Sequence, residues 1–279
     1  MHAALCQRYS YGRCRWRPSV EGFDPRAYEV ADLPRVGGRA VAKAFLRTHH
    51  YLRTLPSVHR LVGLYEHAEL VGLVVFSNPS RDEVLAPFPA DVSTDLGRLV
   101  LLDRVPGNAE SWFVARCFEL LRREGLAGVV SFSDPMPRET VEGLRITPGH
   151  VGGVYKGLGG TYLGQRRGEK ILLLPDATAV HRRALAKIRA ADSRWRSAAK
   201  PILAAGAPPP TDTSAAGLRA WVDGVLPRLT REMQHPGNHK YAWALDPAAK
   251  GLLPASLPYP RAPRAVCGVV EATCERRAA

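Results

Sequence analysis

The sequence predicts an α+β fold, in which a central mixed sheet is flanked by helices and followed by a basic, mainly helical C-terminal region. Helix and strand periodicities alternate along residues 28–175. Two apolar strands near the front enclose a tight turn, and a later strand runs through a Pro-Gly-Asn break into an amphipathic helix. With 279 residues and 46% hydrophobic content, the chain can bury a core without metal or disulfide support.

The first predicted elements lie before residue 80. A short alternating, strand-like segment starts at Tyr28, and the apolar residues over 37–48 share one helical face. Leu61 to Tyr65 and Leu70 to Phe76 are apolar strands with a short, mostly polar connection, which predicts an antiparallel hairpin.

The middle of the chain alternates strand and helix. A third strand covers 95–105, and a Pro-Gly-Asn break ends it at the start of an amphipathic helix over 109–124. Further strands are predicted over 127–134 and, after a loop rich in proline and charge, over 170–174. Four positions of the helix are predicted to face inward: Phe113, Cys117, Leu120 and Leu121.

Beyond residue 175 the pattern changes. A basic helix is predicted over 179–200 and, after a Pro- and Ala-rich linker, a second helix over 217–233. A His- and aromatic-rich segment and a Pro-rich, loosely packed tail follow. We therefore divide the chain into an N-terminal basic extension (1–27), a catalytic domain (28–175) and a basic helical C-terminal region (176–279).

The charge is unevenly distributed. The chain carries 39 lysines and arginines against 26 acids, a formal net charge of +13. Residues 1–27 hold five arginines against two acids, residues 28–175 hold 18 basic and 16 acidic side chains, and residues 176–279 hold 16 against 8. A basic region beside a nearly neutral body is typical of an enzyme that binds a polyanion. The alternative is an Arg- and Ala-rich composition that reflects only a GC-rich genome.

No run of about 18 apolar residues occurs in the sequence, and its first residues hold arginines where an export signal would be apolar. We therefore expect a cytoplasmic protein that does not cross a membrane. The odd count of five cysteines predicts reduced thiols. A zinc site is the alternative, although its spacings are not of the CxxC type, and it would use Cys6, Cys14, Cys267 and Cys274.

Paired histidines and a tyrosine follow the first predicted helix, at His49, His50 and Tyr51. The imidazoles supply a base or metal ligands, and the tyrosine ring supplies a stacking surface. An exposed helix end would look the same in the sequence.

A second candidate site joins Arg98 to the helix that follows its strand. An unpaired guanidinium in an apolar strand is costly, so Arg98 needs an acid, a phosphate or a ligand, unless it faces solvent on an edge strand. The start of the helix, with Gly107, Asn108 and Ser111, presents backbone N–H groups to an anion such as a pyrophosphate.

Two more clusters follow along the chain. Asp134 ends a strand that looks buried, and a carboxylate in that place points into the crevice where α/β sheets bind ligands. An Asp-Pro turn is the ordinary alternative. The glycine-rich stretch 149–164 permits close approach of the backbone and carries His150, Tyr155 and Tyr162, although loop glycines with incidental tyrosines would give the same pattern.

The order of elements resembles the GNAT acyltransferase fold, whose central strand and following helix hold the pyrophosphate of coenzyme A. The usual phosphate loop, Q/R-x-x-G-x-G/A, is replaced here by RVPGNAES, so either the phosphate site is altered or an acyl-CoA is not the donor. The motifs run from His-Tyr through LVGLVVFSNP, GRLVLLD, PGNAES and SFSDP to GHVGGVYKGLGGTYLG. In this order they resemble the Mom family of phage DNA-modification proteins, distant relatives of the GNAT enzymes, over about residues 40–170.

The resemblance implies a transferase that converts N6 of adenine in duplex DNA to a carbamoylmethyl (acetamido-type) derivative and so protects phage DNA from restriction. Asp134 would take the proton of the amine, and Tyr155 would protonate the leaving group or stack on the base. Tyr51 would hold the flipped adenine. The candidate catalytic residues are Asp134, Tyr155, Arg98, Ser111, His50 and Tyr51.

The resemblance also implies a donor such as acetyl-CoA or a related acyl donor. The candidate donor-binding residues are Arg98, Gly107, Asn108 and Ser111. The paired histidines allow an alternative, in which His49 and His50 ligate an iron or other metal ion. Two departures affect the geometry: an insertion over 136–148 separates Asp134 from Tyr155, and KGLGG stands where a polar or aromatic side chain is expected.

The predicted basic helix would contact the DNA backbone without reading its sequence. It would do so through Arg182, Arg183, Lys187, Arg189 and Arg194. Two other functions stay open: a GNAT-like N-acyltransferase acting on a small amine or a protein, and a DNA-binding relative without catalytic activity.

Overall fold

The computed structural model describes the backbone of residues 5–10, 13–18, 22–79 and 81–261, and the side chains of these ranges from residue 22 onward. The zinc site considered above lies outside the described side chains, as do its four cysteines: Cys6, Cys14, Cys267 and Cys274. Among the described residues, none of the helices has both the length and the apolar character that a membrane span requires.

The described residues form strands β1–β14 and helices α1–α7. The strands are β1 (Leu5–Ser10), β2 (Arg13–Pro18), β3 (Tyr28–Asp32), β4 (Val58–Glu66), β5 (Glu69–Ser77), β6 (Ser93–Leu101), β7 (Gly128–Ser133), β8 (Arg138–Glu139), β9 (Arg145–Thr147), β10 (Thr161–Gln165), β11 (Glu169–Leu173), β12 (Ala179–Val180), β13 (Arg231–His235) and β14 (His239–Ala244). The helices are α1 (Gly38–His49), α2 (Ala109–Arg123), α3 (Gly153–Gly157), α4 (Arg182–Arg189), α5 (Trp195–Ala204), α6 (Ala215–Leu229) and α7 (Pro247–Lys250).

A seven-stranded sheet organises the molecule, in the order β10-β14-β7-β6-β5-β4-β3. Within it β6 and β7 run parallel, and the other neighbouring strands run antiparallel. Smaller sheets are formed by β1-β2, by β8-β9 and by β12-β11-β13. The predicted α+β class with a mixed central sheet is therefore confirmed.

The predicted hairpin is the β4–β5 pair. Its strands are longer than expected and turn between Glu66 and Glu69. The two turn residues, His67 and Ala68, both have positive φ angles, which is the geometry that matches the twist of a two-residue hairpin. Strand β5 is almost wholly buried because it lies between two strands and has a helix on each face.

Helix α1 covers one face of the central sheet. It begins and ends within one or two residues of the predicted helix. Its buried side chains pack against β5 and β6 in a cluster that includes Ala42, Leu46, Leu73, Val75 and Val100.

Helix α2 covers the opposite face and has almost the predicted bounds. Three of the four side chains predicted to face inward, those of Phe113, Cys117 and Leu121, are fully buried, and Leu120 is half-buried. Cys117 is a free thiol, and burial raises its pKa above the ordinary value. This cysteine fills space in the core as a neutral group.

The single basic helix predicted over 179–200 is wrong in its extent. The structure has β12 followed by two helices, α4 and α5, because Ala191 takes a positive φ angle and the Asp192 carboxylate accepts a hydrogen bond from Arg194 N (2.8 Å). Both helices pack with α6 around a separate apolar core that includes Ile188 and Trp195.

The predicted helix over 217–233 ends at Leu229, and β13 follows it. The His- and aromatic-rich segment beyond it forms β14, which is inserted between β10 and β7 of the central sheet. The division predicted at residue 175 therefore does not coincide with the edge of the sheet. The tail contacts the central sheet region as far as Tyr259, whose Oη donates to Gly160 O (2.8 Å).

Candidate active site

The parallel strands β6 and β7 open a gap in the middle of the sheet. They pair only from Ser93–Leu96 against Gly128–Ser131, while β6 continues to Leu101 bonded on its β5 side. Ser131 Oγ donates to Leu96 O (2.9 Å) where the two strands part. Beyond that point the β7-facing edge of β6 is left for other partners.

A bulge on β6 turns side chains into this gap. The register with β5 skips Gly97, so Leu96 and Arg98 oppose consecutive residues. A Cβ at Gly97 would lie 2.6 Å from Ser77 Oγ, which explains why glycine occupies the bulge. The bulge leaves Asp95 and Arg98 near each other at the mouth of the opening.

A cleft of about 2060 Å³ lies at this opening. Its walls come from the end of α1, from β6, from the end of β7 and from the glycine-rich segment before α3. The structure thus brings together five predicted residues that are far apart in sequence: His50, Tyr51, Arg98, Asp134 and Tyr155. His50 and Tyr51 follow α1, Arg98 lies on β6, Asp134 follows β7 and Tyr155 lies on α3.

Arg98 finds its partners in oxygen atoms of the chain. Its Nη1 donates to Gly97 O (2.6 Å), and its Nε and Nη2 donate to Thr54 O (3.2 Å) and Thr54 Oγ1 (3.1 Å). None of the carboxylates among the described residues forms an ion pair with it. Its positive charge therefore acts on whatever enters the cleft.

Asp134 is held from several sides. Its Oδ1 accepts hydrogen bonds from Met136 N (2.9 Å) and His235 Nε2 (3.0 Å), and its Oδ2 accepts from Arg138 Nη2. Burial alone would raise the pKa of Asp134, but the bond from His235 and the Arg138 charge hold it below the ordinary value. His235 Nδ1 accepts from Gly237 N (2.9 Å), so the proton of this ring is on Nε2. His235, which lies on β13, is not among the site residues predicted from the sequence.

Asp95 was also missed and has the opposite character. Its Oδ2 accepts one hydrogen bond from Ser77 Oγ (3.0 Å), while its Oδ1 is buried with no hydrogen-bond partner among the described residues. Burial raises the pKa of Asp95 to about 6, against the effects of the Ser77 bond and of the Arg98 and Lys240 charges. An acid within an apolar strand is the sequence signal that could have revealed it.

His50 is buried and neutral. Burial, together with the charges of Arg98 and His150, holds its pKa well below the ordinary value. Its Nδ1 accepts from Leu52 N (3.0 Å), so its proton is on Nε2, and its ring stacks on Tyr51 with 4.6 Å between centroids.

His49 also lines the cleft, and its ring packs against that of Phe45 on α1 with 4.8 Å between centroids. Within the part of the chain that the structure describes, no three or more His, Cys, Asp or Glu side chains form a cluster suited to a metal ion. The metal considered at His49 and His50 therefore gains no support from the described side chains.

Tyr155 stands at the back of the cleft on α3. Burial raises its pKa to about 12, although a hydrogen bond with the Ser131 side chain lowers it. Its ring packs edge-on against Tyr241 (5.4 Å) and Trp243 (5.5 Å) of β14. The inserted strand β14 therefore sets the position of this tyrosine.

The insertion over 136–148 does not separate Asp134 from Tyr155. It contains the β8–β9 hairpin, and His150 N donates to Asp134 O (2.8 Å) where the chain returns to the cleft. Gly152, which precedes α3, has a φ of +80°, and a Cβ there would lie 2.7 Å from Tyr241. Glycine is required at this position by both its backbone and its surroundings.

The start of α2 is less suited to a pyrophosphate than predicted. Gly107, Asn108 and Ser111 lie outside the cleft walls, and Ser111 Oγ donates to Asn108 O (3.0 Å). Glu110, in the first helical turn, does line the cleft and disfavours an anion there. The edge of β6 beyond Leu96 can instead pair with an extended amide chain as a strand does.

The five basic residues predicted to bind DNA fall into two groups. Arg189 forms an ion pair with Asp223 of α6 (2.8 Å). It lines neither the active-site cleft nor the second cleft described next. The other four line a smaller second cleft of about 730 Å³ that adjoins the first: Arg182, Arg183, Lys187 and Arg194.

A mixed sheet whose parallel pair opens onto a cleft, with a helix following the first strand of that pair, is the GNAT-like arrangement predicted from the sequence. A model of the Mom protein family matches residues 34–207, which is more than half of the chain. The chain belongs to the Mom protein family. The match extends beyond the predicted 40–170 and includes α4 and α5.

Solved structures with some likeness are acetyltransferase-type proteins. A tandem GNAT protein from the clavulanic acid biosynthesis pathway is 10% identical, with a TM-score of 0.41 over 79% of this chain and 99% of that one. An N-acetyltransferase from Staphylococcus aureus Mu50 (8%, TM-score 0.31) covers 52% and 87%, and a Bacillus subtilis acetyltransferase in complex with CoA (6%, TM-score 0.31) covers 78% and 97%. At these identities and TM-scores, the likeness gives no information about the substrate or donor of this chain. No curated protein matches the sequence.

Proposed function

We propose that the chain is a transferase that modifies N6 of adenine in DNA, giving the carbamoylmethyl derivative. One observation carries the proposal: in a member of the Mom family, side chains from four distant segments meet in one cleft where β6 and β7 part. The cleft, about 2060 Å³, exceeds the size of an ordinary small-molecule site and suits a nucleotide together with a donor.

The substrate amine must leave the base stack to react. A flipped adenine needs a flat wall, and the stacked rings of His50 and Tyr51 provide one within the cleft. Because His50 is neutral and carries its proton on Nε2, it can also donate a hydrogen bond to a ring nitrogen.

The exocyclic amine is a poor nucleophile because its lone pair is delocalised into the ring, so a base must take its proton as the new bond forms. Asp134 has a lowered pKa and accepts three hydrogen bonds, which makes it a weak base. Asp95 lines the same cleft and has a pKa of about 6, and its buried Oδ1 has no hydrogen-bond partner among the described residues. We therefore assign proton acceptance to Asp95, and to Asp134 the positioning of Arg138 and of the loop at His150.

The donor side of the cleft lies along β6. Carbamoylmethylation joins N6 to a methylene carbon, so the donor must lose a leaving group, with its bonding electron pair, from that carbon. An acyl-CoA would instead bond N6 to its carbonyl carbon and release a thiolate, which gives an N6-acyl product. The β6 edge beyond Leu96 and the charge of Arg98 would hold the donor. Tyr155, whose pKa of about 12 keeps it protonated at neutral pH, can give a proton to the departing atom.

Mass spectrometry of nucleosides tests the proposal. DNA from cells that express the chain should contain a modified deoxyadenosine, and Asp95→Asn should remove it while the exposed control Asp91→Asn retains it. Unmodified DNA in cells with abundant folded protein would contradict the proposal. Acetyl-CoA consumption with amines in the absence of DNA would favour an N-acyltransferase, and salt-sensitive DNA binding without product would favour a non-catalytic relative.

A further inference from the structure

The second cleft opens into the active-site cleft. It lies beside β11 and β12, and helices α4 and α5 form its far wall. Seven residues line both cavities, so the two clefts adjoin between the β6–β7 opening and the basic helices: Arg138, Glu169, Ala179, His181, Arg182, His235 and Asn238.

The lining of the second cleft is strongly cationic. Glu169 is the single acidic residue among its described lining residues, and it lies 3.8 Å from Arg182 Nε. Neither Lys187 nor Arg194 forms a side-chain ion pair with another described residue. Six basic side chains face the cavity: Arg138, Lys170, Arg182, Arg183, Lys187 and Arg194.

The packing of α4 and α5 explains why these charges face the cavity. Leu185 and Ile188 anchor α4 in the helical core, and they leave the exposed side of the helix to its basic residues. The break between the helices, held by Asp192, places Arg194 at the start of α5 beside the same cavity. This break in the predicted helix thus gathers charge that one straight helix would spread along its length.

Two buried polar atoms at the junction lack partners among the described residues. Arg138 Nη2 bonds Asp134, but Arg138 Nε is buried without an acceptor. Asn238 Oδ1 is buried without a donor, and rotation of this amide would present its NH₂ group instead. A buried donor left unpaired is unfavourable, and an anionic oxygen at the junction would satisfy it.

We propose that the second cleft binds the phosphodiester backbone of the DNA strand that carries the target adenine. This inference rests on the proposed function. Arg138 Nε would take a phosphate oxygen next to the flipped nucleotide, and Lys187 and Arg194 would take the phosphates that follow. Arg189 has no part in the contact because it is paired with Asp223 outside the cavity. The contact is made to the backbone, so it carries no sequence preference.

Salt-dependent DNA binding by the purified full chain tests the proposal, with a fluorescent 20-base-pair duplex containing one mismatched adenine as the probe. The double variant Lys187→Gln/Arg194→Gln should reduce the slope of log affinity against log salt by about 2. At 0.1 M salt its affinity should fall roughly tenfold for each phosphate that is no longer neutralised.

The matched control is Arg122→Gln/Arg123→Gln, at the end of α2. It removes the same charge from two exposed positions that line neither cleft, and its affinity and slope should stay close to those of the parent chain. Equal losses of affinity in the two double variants would mean that only net charge matters, and an unchanged affinity in the first would mean that the cleft does not hold DNA; either result overturns the proposal.

The binding assay contains no donor, so it does not depend on chemistry. A chain that binds through the second cleft but never yields a modified nucleoside would refute the proposed function and leave this contact standing. Full DNA modification in cells by the Lys187→Gln/Arg194→Gln variant, with unchanged DNA affinity, would refute the contact and leave the proposed function standing. All four substituted side chains are exposed, and melting curves should be unchanged.

Discussion

Replacement of Asp95 by asparagine tests the chemical role of this carboxyl and, separately, its effect on the stability of the protein. The substitution keeps the size of the side chain and its acceptor for Ser77 Oγ, but an amide cannot take a proton. General-base catalysis contributes about 10²- to 10⁴-fold, so the modification rate should fall by that factor. In the parent chain, a pKa of about 6 leaves about nine carboxyls in ten ionised at pH 7 and about one in ten at pH 5. The modification rate should therefore fall about tenfold when the pH is lowered from 7 to 5.

The same pKa predicts that the inactive variant is the more stable protein. Folding raises the pKa of Asp95 from 3.8 to about 6, so the folded state binds this proton more tightly than the unfolded state. The carboxyl therefore costs stability as the pH rises through the window from about 4 to about 6, to a limit of about 3 kcal/mol above it. The amide of the Asp95→Asn variant would not carry this cost, and the gain should shrink as the pH falls toward 4.

Two measurements decide the matter. Initial rates of modified deoxyadenosine formation in an extract that supplies the donor give the activity between pH 5 and pH 8, with Asp91→Asn as control. Chemical denaturation at pH 7 and pH 5 gives the free energy of unfolding. An Asp95→Asn chain that retains its activity, or that is less stable than the parent at pH 7, would refute the assignment of Asp95 as a buried base.

Three further outcomes follow from the same contacts. Ser77→Ala removes a hydrogen bond that lowers the pKa of Asp95, so the acid limb of the pH–rate profile should move to higher pH; an unmoved limb would mean that another group titrates. Gly152→Ala should lower the free energy of unfolding by roughly 1–2 kcal/mol or more, because the φ of Gly152 is +80° and the Tyr241 ring occupies the space of a Cβ. Gly157→Ala is the control, because a Cβ there would meet open space and should leave the free energy of unfolding unchanged. Chemical denaturation of both variants checks this. Tyr155→Phe should keep the fold and slow modification by about 10²-fold if its hydroxyl donates a proton, and an unchanged rate would leave it only a packing role.

Much of the fold follows from local sequence patterns. The period-2 alternation around the short turn predicts β4 and β5, and the helical spacing of Phe113, Cys117 and Leu121 predicts both the extent of α2 and its buried face. These features are readable because each depends on neighbours within a few residues along the chain. The four chemical clusters were found in the same way, as unusual residues in apolar surroundings.

Other features depend on contacts between distant parts of the chain. Strand β14 joins the central sheet from beyond the basic region, and His235 meets Asp134 from more than a hundred positions away. That contact, with the Arg138 charge, is what makes Asp134 a weak base, and the absence of such donors around Asp95 Oδ1 in the described residues is what makes Asp95 a better one.

The sequence by itself determined the class of fold, its main helix and hairpin, and several polar residues of the candidate site, but not Asp95 or His235. Only the tertiary structure decided that the pKa of Asp95 is raised while that of Asp134 is lowered, and that four of the five basic residues line a common cavity. The physical reason is that basicity and charge density depend on burial and on partners within a few ångströms. Those distances are set by packing between segments that are far apart along the chain, and the number of residues between two segments does not predict how closely they pack.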